Sequence, residues 1–344
     1  MVPGDITTRT GGYIYDARVA DGLRSLGWTI DVRTLDGSFP RPSPAALAHA
    51  MGVLAGITAG ARVIVDSLAL GAMPDVIAAH ASRLRIAALM HLPLAADVSA
   101  DPDTRADVAA AEGRALSAVS LVIVTGTATE ALLSRYRLPP GRVVVVEPGT
   151  DPAPLARGSG AGPVALLCVA AVHRGKGHEA LLQALSEVAN RGWRLVCAGD
   201  LTRDPDMVGR VMTMRTRLGL QDRVSFLGDL SASDLNEHYD RAALIVSPSR
   251  QETYGMAVAD ALARGIPVVA TATGAIPKLV GSEAGLVVPV DDTASLAGAL
   301  SRAIGDADLR RLLAAGARRV RARLPTWDDA AARMAAALTS LGTS

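Results

Sequence analysis

The sequence predicts an α/β protein of two domains, each with a parallel β-sheet covered by helices on both faces. Short apolar runs of β character alternate along all 344 residues with longer helical segments rich in Ala, Leu and Arg. The runs are apolar throughout, which is typical of strands buried on both faces of a doubly wound sheet. The length allows about two domains of roughly 150 residues each.

The first half of the chain contains five such runs, and helical segments such as 16–27 and 103–118 lie between them. A doubly wound domain usually opens with a strand, yet no complete run precedes PGD at 3–5. We expect either that this strand is missing or that the start lies downstream of the natural one. The five runs are WTIDVRTL (28–35), ARVIVDS (61–67), RIAALMH (85–91), SLVIVTG (120–126) and RVVVVEPG (142–149).

The second half contains six runs, again separated by helical segments. Between the halves, the segment 146–163 is rich in Pro, Gly and Ser and predicts a linker. We therefore predict domains at 1–150 and 151–325, with a final helix at about 326–344. The runs are PVALLCVAAV (163–172), WRLVCAGD (193–200), RVSFLGD (223–229), AALIVSPS (242–249), IPVVATAT (266–273) and AGLVVPV (284–290).

Charge and hydropathy exclude several classes of partner. With 35 Lys and Arg against 34 Asp and Glu, the net charge is +1, which removes the electrostatic reason to expect nucleic acid or an anionic membrane as an obligatory partner. No apolar run approaches the roughly 20 residues that span a bilayer, and no signal peptide is visible, so we expect a soluble cytoplasmic protein. Cys168 and Cys197 lie in apolar runs and are interpreted as buried small hydrophobic residues.

Several common catalytic motifs are absent from the sequence. No G-x-G-x-x-G follows a first strand, and RGKGHE (174–179) lacks the spacing of a P-loop. Neither H-E-x-x-H, nor Cys/His spacing typical of zinc, nor a G-x-S-x-G elbow occurs. These absences argue against a dehydrogenase, a P-loop kinase, a metallohydrolase and a serine hydrolase. We predict no metal site.

The stretch SPSRQETYGMAVADALARG (247–265) predicts a strand, a loop and a helix. Gly255 and Met256 fall in the first helical turn, where backbone N–H groups lack intrahelical partners and attract anions. Glu252 precedes this turn and Asp260 follows it, so a phosphate here would have a carboxylate on each side. Carboxylates accept hydrogen bonds from hydroxyls, so a nucleoside-diphosphate sugar fits. The alternative is a capping acid at Glu252 and a solvated Asp260.

Five segments resemble, in order along nearly the whole chain, motifs of the retaining glycosyltransferases of family 4 (glycosyl transferases group 1). Such enzymes have the GT-B fold, in which two Rossmann-like domains face each other across a cleft. The stretch 247–271 resembles the E-x7-E signature and is the most specific match. The others are TGGYIYD (10–16) for the glycine-rich loop, LMHLPL (89–94) for the histidine loop, VEPGTD (146–151) for the domain junction and VAAVHRGKGHEALLQAL (169–185) for the phosphate loop and its helix.

The resemblance implies catalytic roles for three residues. Glu252 would contact hydroxyls of the donor sugar, Lys176 would neutralise the diphosphate as the sugar leaves, and His91 would contact the sugar. Lysine occurs only at Lys176 and Lys278, and Lys278 is assigned no role. Donor contacts are implied for a further set: Arg174, Gly255, Met256, Asp260, Gly11 and Gly12.

Two positions depart from the family pattern. Asp260 stands where the family usually has glutamate, and it is shorter by one methylene, roughly 1.5 Å. Ala171 stands where the family has an arginine, so Arg174 is expected to supply that charge. These departures leave open a non-catalytic nucleotide-sugar-binding protein.

The resemblance implies a metal-independent hexosyltransferase that uses no cofactor. It would move a sugar from a nucleoside-diphosphate sugar, bound by the C-terminal domain, to a small molecule, lipid or glycan on the N-terminal domain. The final helix would pack back on the N-terminal domain; the alternative is a last helix of the second domain. A nucleotide-sugar epimerase of the same fold is the alternative activity. We expect a monomer or homodimer and at most peripheral membrane contact.

Overall fold

The computed structural model describes residues 1–98 and 102–341. The chain forms two compact units, of which unit 1 comprises Met1–Gly149 with Pro325–Ser344 and unit 2 comprises Thr150–Leu324. No helix in the described ranges is long and apolar enough to cross a membrane.

Twelve strands are assigned in the described residues, and every pairing between them is parallel. Unit 1 has a four-stranded sheet of order β3-β4-β5-β6 and a short pair β1-β2, and unit 2 has a six-stranded sheet of order β12-β11-β10-β7-β8-β9. The strands are β1 (Val2–Pro3), β2 (Thr34–Leu35), β3 (Arg62–Asp66), β4 (Arg85–Met90), β5 (Leu121–Val124), β6 (Val143–Val145), β7 (Val164–Val169), β8 (Trp193–Ala198), β9 (Val224–Phe226), β10 (Leu244–Ser247), β11 (Val268–Thr271) and β12 (Gly285–Val288).

Helices follow most strands, as the alternating pattern of the sequence predicts. Short 3₁₀ turns add Leu94–Ala96, Pro102–Thr104, Leu133–Tyr136 and Arg174–Lys176. The helices are α1 (Gly11–Ser25), α2 (Pro44–Ala55), α3 (Ser67–Leu70), α4 (Pro74–His80), α5 (Arg105–Ala118), α6 (Thr127–Leu132), α7 (His178–Glu187), α8 (Pro205–Arg217), α9 (Ala232–Arg241), α10 (Met256–Ala263), α11 (Ile276–Val280), α12 (Thr293–Gly305), α13 (Ala307–Arg321) and α14 (Trp327–Ser340).

Both large sheets are buried on both faces. Along β4, Ile86 and Met90 face one hydrophobic cluster, whereas Ala87 and Leu89 face another on the opposite side. This double burial explains why the strands are apolar throughout. The α/β fold of two doubly wound parallel sheets is confirmed.

The predicted strand at 28–35 is wrong in its extent, because only Thr34–Leu35 is a strand. Its partner is the two-residue strand Val2–Pro3, in register Val2 with Thr34 and Pro3 with Leu35. A pairing of two residues cannot extend further along 28–35, and Gly4 turns the chain away with φ of +71°. Val2–Pro3 is therefore a short first strand, at the position where the sequence shows no complete apolar run.

Helix α14 packs on α1 within unit 1. Ala330, Met334 and Ala337 share a hydrophobic cluster with Tyr15 and other residues of α1. The helices approach closely because Gly22 lacks a Cβ, which would lie 2.5 Å from the Cβ of Ala331. The final helix is thus part of unit 1, although its sequence follows unit 2.

In unit 2 the chain runs outward from β7 through β8 to β9, then returns to the other side of β7 for β10, β11 and β12. The strand order therefore reverses between β7 and β10. In open α/β sheets, ligands bind beyond the carboxyl ends of the strands at such a point. The loops after β7 and β10 contain Lys176 and Glu252.

Candidate functional site

Three loops converge at the carboxyl ends of β7, β10 and β11, and we call residues 173–177, 248–255 and 272–275 the three-loop site. The N–H of Arg250 donates to the carbonyl of Gly175 at 2.9 Å. The N–H of Glu252 donates to Oγ1 of Thr273 at 3.2 Å. These bonds tie the loop with Glu252 to both neighbours, so its backbone position depends on all three strands.

Two glycines allow the loops to approach this closely. Gly177 has φ of +68°, and a Cβ there would lie 2.0 Å from the carbonyl oxygen of Pro248. Gly274 has φ of +56°, and its Cβ would lie 2.2 Å from the carbonyl oxygen of Glu252. Only glycine combines this left-handed conformation with such contact. The two contacts bring the loops after β7 and β11 against the loop that carries Glu252.

Lys176 and Glu252 form an ion pair through Nζ and Oε1. The same carboxylate oxygen accepts a hydrogen bond from Oγ of Ser249 at 3.2 Å. The side chains are 21% and 18% exposed, so both remain reachable by a ligand. The structure therefore brings together two of the predicted catalytic residues, each neutralising the other.

Helix α10 begins beside this ion pair. Gly255 precedes it in the left-handed conformation, with φ of +93°, and no side chain in the described part of unit 2 caps it. The N–H groups of the first turn, which includes Met256, therefore form an anion-attracting end. Asp260 lies one turn further along and is half-buried. The order Glu252, helix start, Asp260 is as the sequence predicts.

Asp260 lies close to the side chain of Tyr239, which packs against α10. Burial, followed by the charge of Asp260, raises the pKa of Tyr239. Arg264 donates to the backbone carbonyl of Asp260 at 2.9 Å and stacks over the Tyr239 ring, with its guanidinium carbon 4.5 Å from the ring centre. These contacts fix the helix on which the Asp260 carboxylate stands.

Arg174 is exposed on the 3₁₀ turn that leads to Lys176. It lines an open depression of about 550 Å³ together with Arg210 and Arg250, and the described lining includes neither Lys176 nor Glu252. Arg250 itself is paired with Asp291 at 2.8 Å. Arg174 thus lines the same open depression as two other arginines.

In unit 1, His91 directly follows β4 and contacts two carboxylates. Its Nε2 lies 2.9 Å from Oδ1 of Asp16 and 3.6 Å from Oδ2 of Asp66. The Tyr15 ring meets the imidazole edge to face, with 5.4 Å between the ring centres. Asp66 was assigned no role from the sequence. Its position at the end of β3, a run that the sequence predicts as a strand, was a signal that could have identified it. The carboxyl ends of the neighbouring strands β3 and β4 lie at the same sheet edge.

The charges around His91 are coupled. Burial opposes its protonation, but the charge and hydrogen bond of Asp16, with the charge of Asp66, raise the pKa of His91 above its usual value. Burial raises the pKa of Asp66, and His91 opposes this rise. Asp16, Asp66 and His91 each offer one ligand atom, all within 4.8 Å of one another, and could hold a metal ion.

The prediction that Gly11 and Gly12 lie in a loop is wrong, because they are the first residues of α1. The side chain of Thr10 caps this helix by accepting from the N–H of Tyr13 at 3.3 Å, so the helix begins at the glycines. Gly12 lies against His91, since its Cβ would be 3.3 Å from Cδ2 of the imidazole. Gly12 thus adjoins the His91 cluster.

Residues 163–306 match the family described as glycosyl transferases group 1. A D-inositol 3-phosphate glycosyltransferase of Salinispora tropica is 32% identical over 251 residues, 66% of this chain and 52% of that protein. The enzyme of the same name from Stackebrandtia nassauensis is 30% identical over 277 residues, 75% of this chain and 61% of that protein. The chain thus spans between half and two thirds of these relatives' length.

Two solved structures show the same fold. Sucrose-phosphate synthase from Thermosynechococcus elongatus has a TM-score of 0.83 and 22% identity, covering 99% of this chain and 98% of its own. The Anabaena protein HepE in complex with UDP-glucose has a TM-score of 0.78 and 19% identity, covering 98% of this chain and 99% of its own. With two doubly wound parallel sheets and these similarities, the chain has the GT-B fold, and its residues 163–306 match the glycosyl transferases group 1 family.

Proposed function

We propose that the protein transfers a sugar from a nucleoside-diphosphate sugar to an acceptor, with retention of configuration and without a metal ion. The observation that carries this proposal is the Lys176–Glu252 ion pair beside the uncapped start of α10. A cation and free N–H groups suit a diphosphate, and a carboxylate next to them suits sugar hydroxyls. A nucleoside-diphosphate sugar presents these groups in this order.

Donor binding would separate the Lys176–Glu252 ion pair. The diphosphate would take the ammonium group of Lys176, and Glu252 would then accept hydrogen bonds from the donor sugar. Its second existing contact, the hydroxyl of Ser249, keeps the carboxylate in position during this exchange. Asp260 would bind the ribose hydroxyls.

The transfer needs charge stabilisation on the leaving group. The bond between the anomeric carbon and the diphosphate oxygen breaks, and the acceptor oxygen bonds to the same face of that carbon. The acceptor proton passes to a leaving phosphate oxygen. Lys176 and the helix N–H groups stabilise the charge that develops on the diphosphate, which is a role that preorganised donors perform well. Unit 1 would supply acceptor contacts, and His91 would contact the donor sugar.

We propose uridine as the base of the donor. The Anabaena protein HepE has been crystallised with UDP and with UDP-glucose, and its fold covers nearly the whole of this chain. For the acceptor we propose a small hydroxylated molecule. The names of the relatives, D-inositol 3-phosphate glycosyltransferases, support a phosphorylated polyol.

A second candidate is a nucleotide-sugar-binding protein without transferase activity. Ala171, in the loop after β7, favours it, because no arginine stands at this position to add a second cation beside Lys176. This candidate predicts donor binding with no release of free nucleotide. An epimerase would instead isomerise the donor without any acceptor.

Thermal unfolding with UDP, GDP, ADP and their glucose conjugates tests donor binding. Saturation to a hundred times the dissociation constant stabilises by about 2.7 kcal/mol. We expect stabilisation by the uridine compounds, with the extra contribution of the sugar lost in Glu252→Ala. Lys278→Ala, at the other lysine, is the matched control and should respond like the wild type. A flat response to all nucleotides would contradict the proposal.

Transfer itself is followed by UDP release over a panel of polyol phosphates, and NMR of the product reports its anomeric configuration. We expect an acceptor-dependent rate that EDTA leaves unchanged and that Glu252→Ala lowers together with donor affinity. Stabilisation by donor without UDP release would identify the non-catalytic binder. Equal rates in wild type and Glu252→Ala would overturn the assigned site.

A further inference from the structure

Two cysteines and a histidine meet under the sheet of unit 2, and we call Cys168, Cys197 and His178 the Cys–His cluster. Cys168 on β7 and Cys197 on β8 are register partners, so their side chains share one face of the sheet. His178 is the first residue of α7, which covers that face. The two sulphur atoms and a ring nitrogen lie within 4.8 Å of one another.

The cluster is closed to solvent. Cys168, Cys197 and His178 are 1%, 2% and 2% exposed. Nε2 of the imidazole lies 3.9 Å from Sγ of Cys168, a weak polar contact. Nδ1 has no hydrogen-bond partner among the described residues. A buried imidazole with so little compensation is costly, and a metal bond at Nε2, the nitrogen that faces Cys168, would offset part of that cost.

The geometry points to a binding site for a thiophilic divalent cation of the Zn²⁺ type. Two thiolates and a neutral imidazole form the N/S ligand set that Zn²⁺ favours. Two negative charges balance the charge of a divalent ion, so the complex is neutral and tolerable in an apolar core. A monovalent ion such as Cu⁺ would leave an uncompensated negative charge there.

Binding involves no oxidation. Two S–H bonds break and their protons leave to solvent, while two metal–sulphur bonds and one metal–nitrogen bond form. Zn–S and Zn–N bonds measure about 2.3 and 2.0 Å, so the ligand atoms must draw closer than their present separations of up to 4.8 Å.

The cluster borders the three-loop site along the chain. His178 is two residues after Lys176, and Gly177 between them packs against Pro248. A metal ion would hold the start of α7 to β7 and β8 from beneath. The inference concerns binding alone and does not depend on the proposed transferase activity.

Cadmium is the spectroscopic probe for this site, since its thiolate complexes absorb in the ultraviolet by charge transfer. Metal-free reduced protein is titrated with Cd²⁺ and then with Zn²⁺ as competitor. We expect a band that saturates at one equivalent and that Zn²⁺ displaces. The double variant Cys168→Ala with Cys197→Ala should lose both the absorption band and the binding of one equivalent of Cd²⁺. His49→Asn, at an exposed histidine, is the control and should keep both.

Proton release provides a second test that needs no variant. In weakly buffered solution, the wild type should release about two protons per Zn²⁺ bound. Fewer than one proton, or no saturable Cd²⁺ band in the wild type, would overturn the inference, as would a double variant that folds by circular dichroism and still binds one equivalent. If the double variant does not fold, the band and the proton count of the wild type decide.

Discussion

Each unit places a basic side chain against acids at the carboxyl ends of parallel strands, but the two arrangements differ in burial. In unit 2, Lys176 and Glu252 are 21% and 18% exposed and form a single pair. In unit 1, His91 faces two acids, Asp16 and Asp66, that are only 5% and 2% exposed. An accessible pair can be opened by a ligand, whereas two buried carboxylates fix the position and protonation of one imidazole.

The backbones that support these clusters differ as well. The three-loop site depends on glycines with positive φ, such as Gly177 and Gly274, that press loop against loop. The His91 cluster is assembled from regular elements: the end of β3, the end of β4 and the first turns of α1. The first arrangement is therefore sensitive to added volume in a loop, and the second to charge.

The largest effect is expected for Lys176→Ala. Removing a preorganised cation from the leaving group should lower kcat about 10²–10³-fold, as the loss of one oxyanion-hole donor does. The donor KM should change less, because the α10 N–H groups still bind the diphosphate. Steady-state kinetics with varied donor separate the two, with Lys278→Ala as control. A rise in KM with unchanged kcat would limit Lys176 to ground-state binding.

Substitution of Gly177 tests how closely the loops are packed. Gly177→Ala places a Cβ 2.0 Å from the Pro248 carbonyl oxygen at φ of +68°. Strain and overpacking together should destabilise the protein by about 3 kcal/mol. Gly219→Ala is the matched control, because Gly219 has φ of +64° with no atom within 4 Å of the added Cβ, and it should cost about 1 kcal/mol. Urea unfolding measures the loss of stability in both variants. Equal losses would show that the close contact at Gly177 adds nothing to the destabilisation.

The His91 cluster predicts a pH-dependent stability. Although burial opposes protonation, Asp16 and Asp66 raise the pKa of His91 in the folded protein. The stabilisation by the protonated imidazole is therefore complete below the ordinary histidine pKa of about 6.5 and is lost as pH rises through the raised value. The raised pKa of Asp66 acts in the same direction at lower pH.

Urea unfolding at several pH values measures this effect. The free-energy difference between wild type and His91→Asn should shrink as pH rises above about 6.5. The difference between wild type and His49→Asn, at an exposed position, should vary less over the same range. A His91→Asn difference that grows with pH would show that the two carboxylates do not favour the protonated imidazole.

The smallest effects are expected at Asp260. Asp260→Ala should raise the donor KM about tenfold, through loss of one charged hydrogen bond to the ribose worth about 1.5 kcal/mol. Asp260→Glu, which restores the usual residue of the family, should stay within about threefold of the wild type, since the added methylene extends the reach by roughly 1.5 Å. Kinetics with UDP-glucose compare the two. A loss in Asp260→Glu as large as in Asp260→Ala would argue against a contact through the carboxylate.

Much of the fold and of unit 2's site could be predicted because the signals are local. Buried parallel strands must be apolar on both faces, so the runs at 163–172 and 266–273 identify β7 and β11 directly. The start of α10 beside Glu252 follows from a loop that leads into an alanine-rich helix. Neither inference needs contacts between distant residues.

Of the two errors in the predicted elements, one arose from a distant contact and one from a local cap. Thr34–Leu35 is short because its partner Val2–Pro3, far away in sequence, is short. The pattern of a single sequence does not contain the pairing between two such short strands. The helical start at Gly11 depends instead on the neighbouring Thr10, a local cap that the prediction of a glycine-rich loop overlooked.

The sequence by itself determined the two parallel sheets, their order along the chain and the family resemblance, because burial on both faces and motif spacing are written in consecutive residues. The tertiary structure decided that Lys176 pairs with Glu252, 76 positions apart, that Asp16 and Asp66 flank His91, and that Cys168, Cys197 and His178 meet. The physical reason is that parallel strands bring their carboxyl ends together whatever their separation in sequence. Which side chains then meet depends on register and on how closely glycines allow the loops to approach.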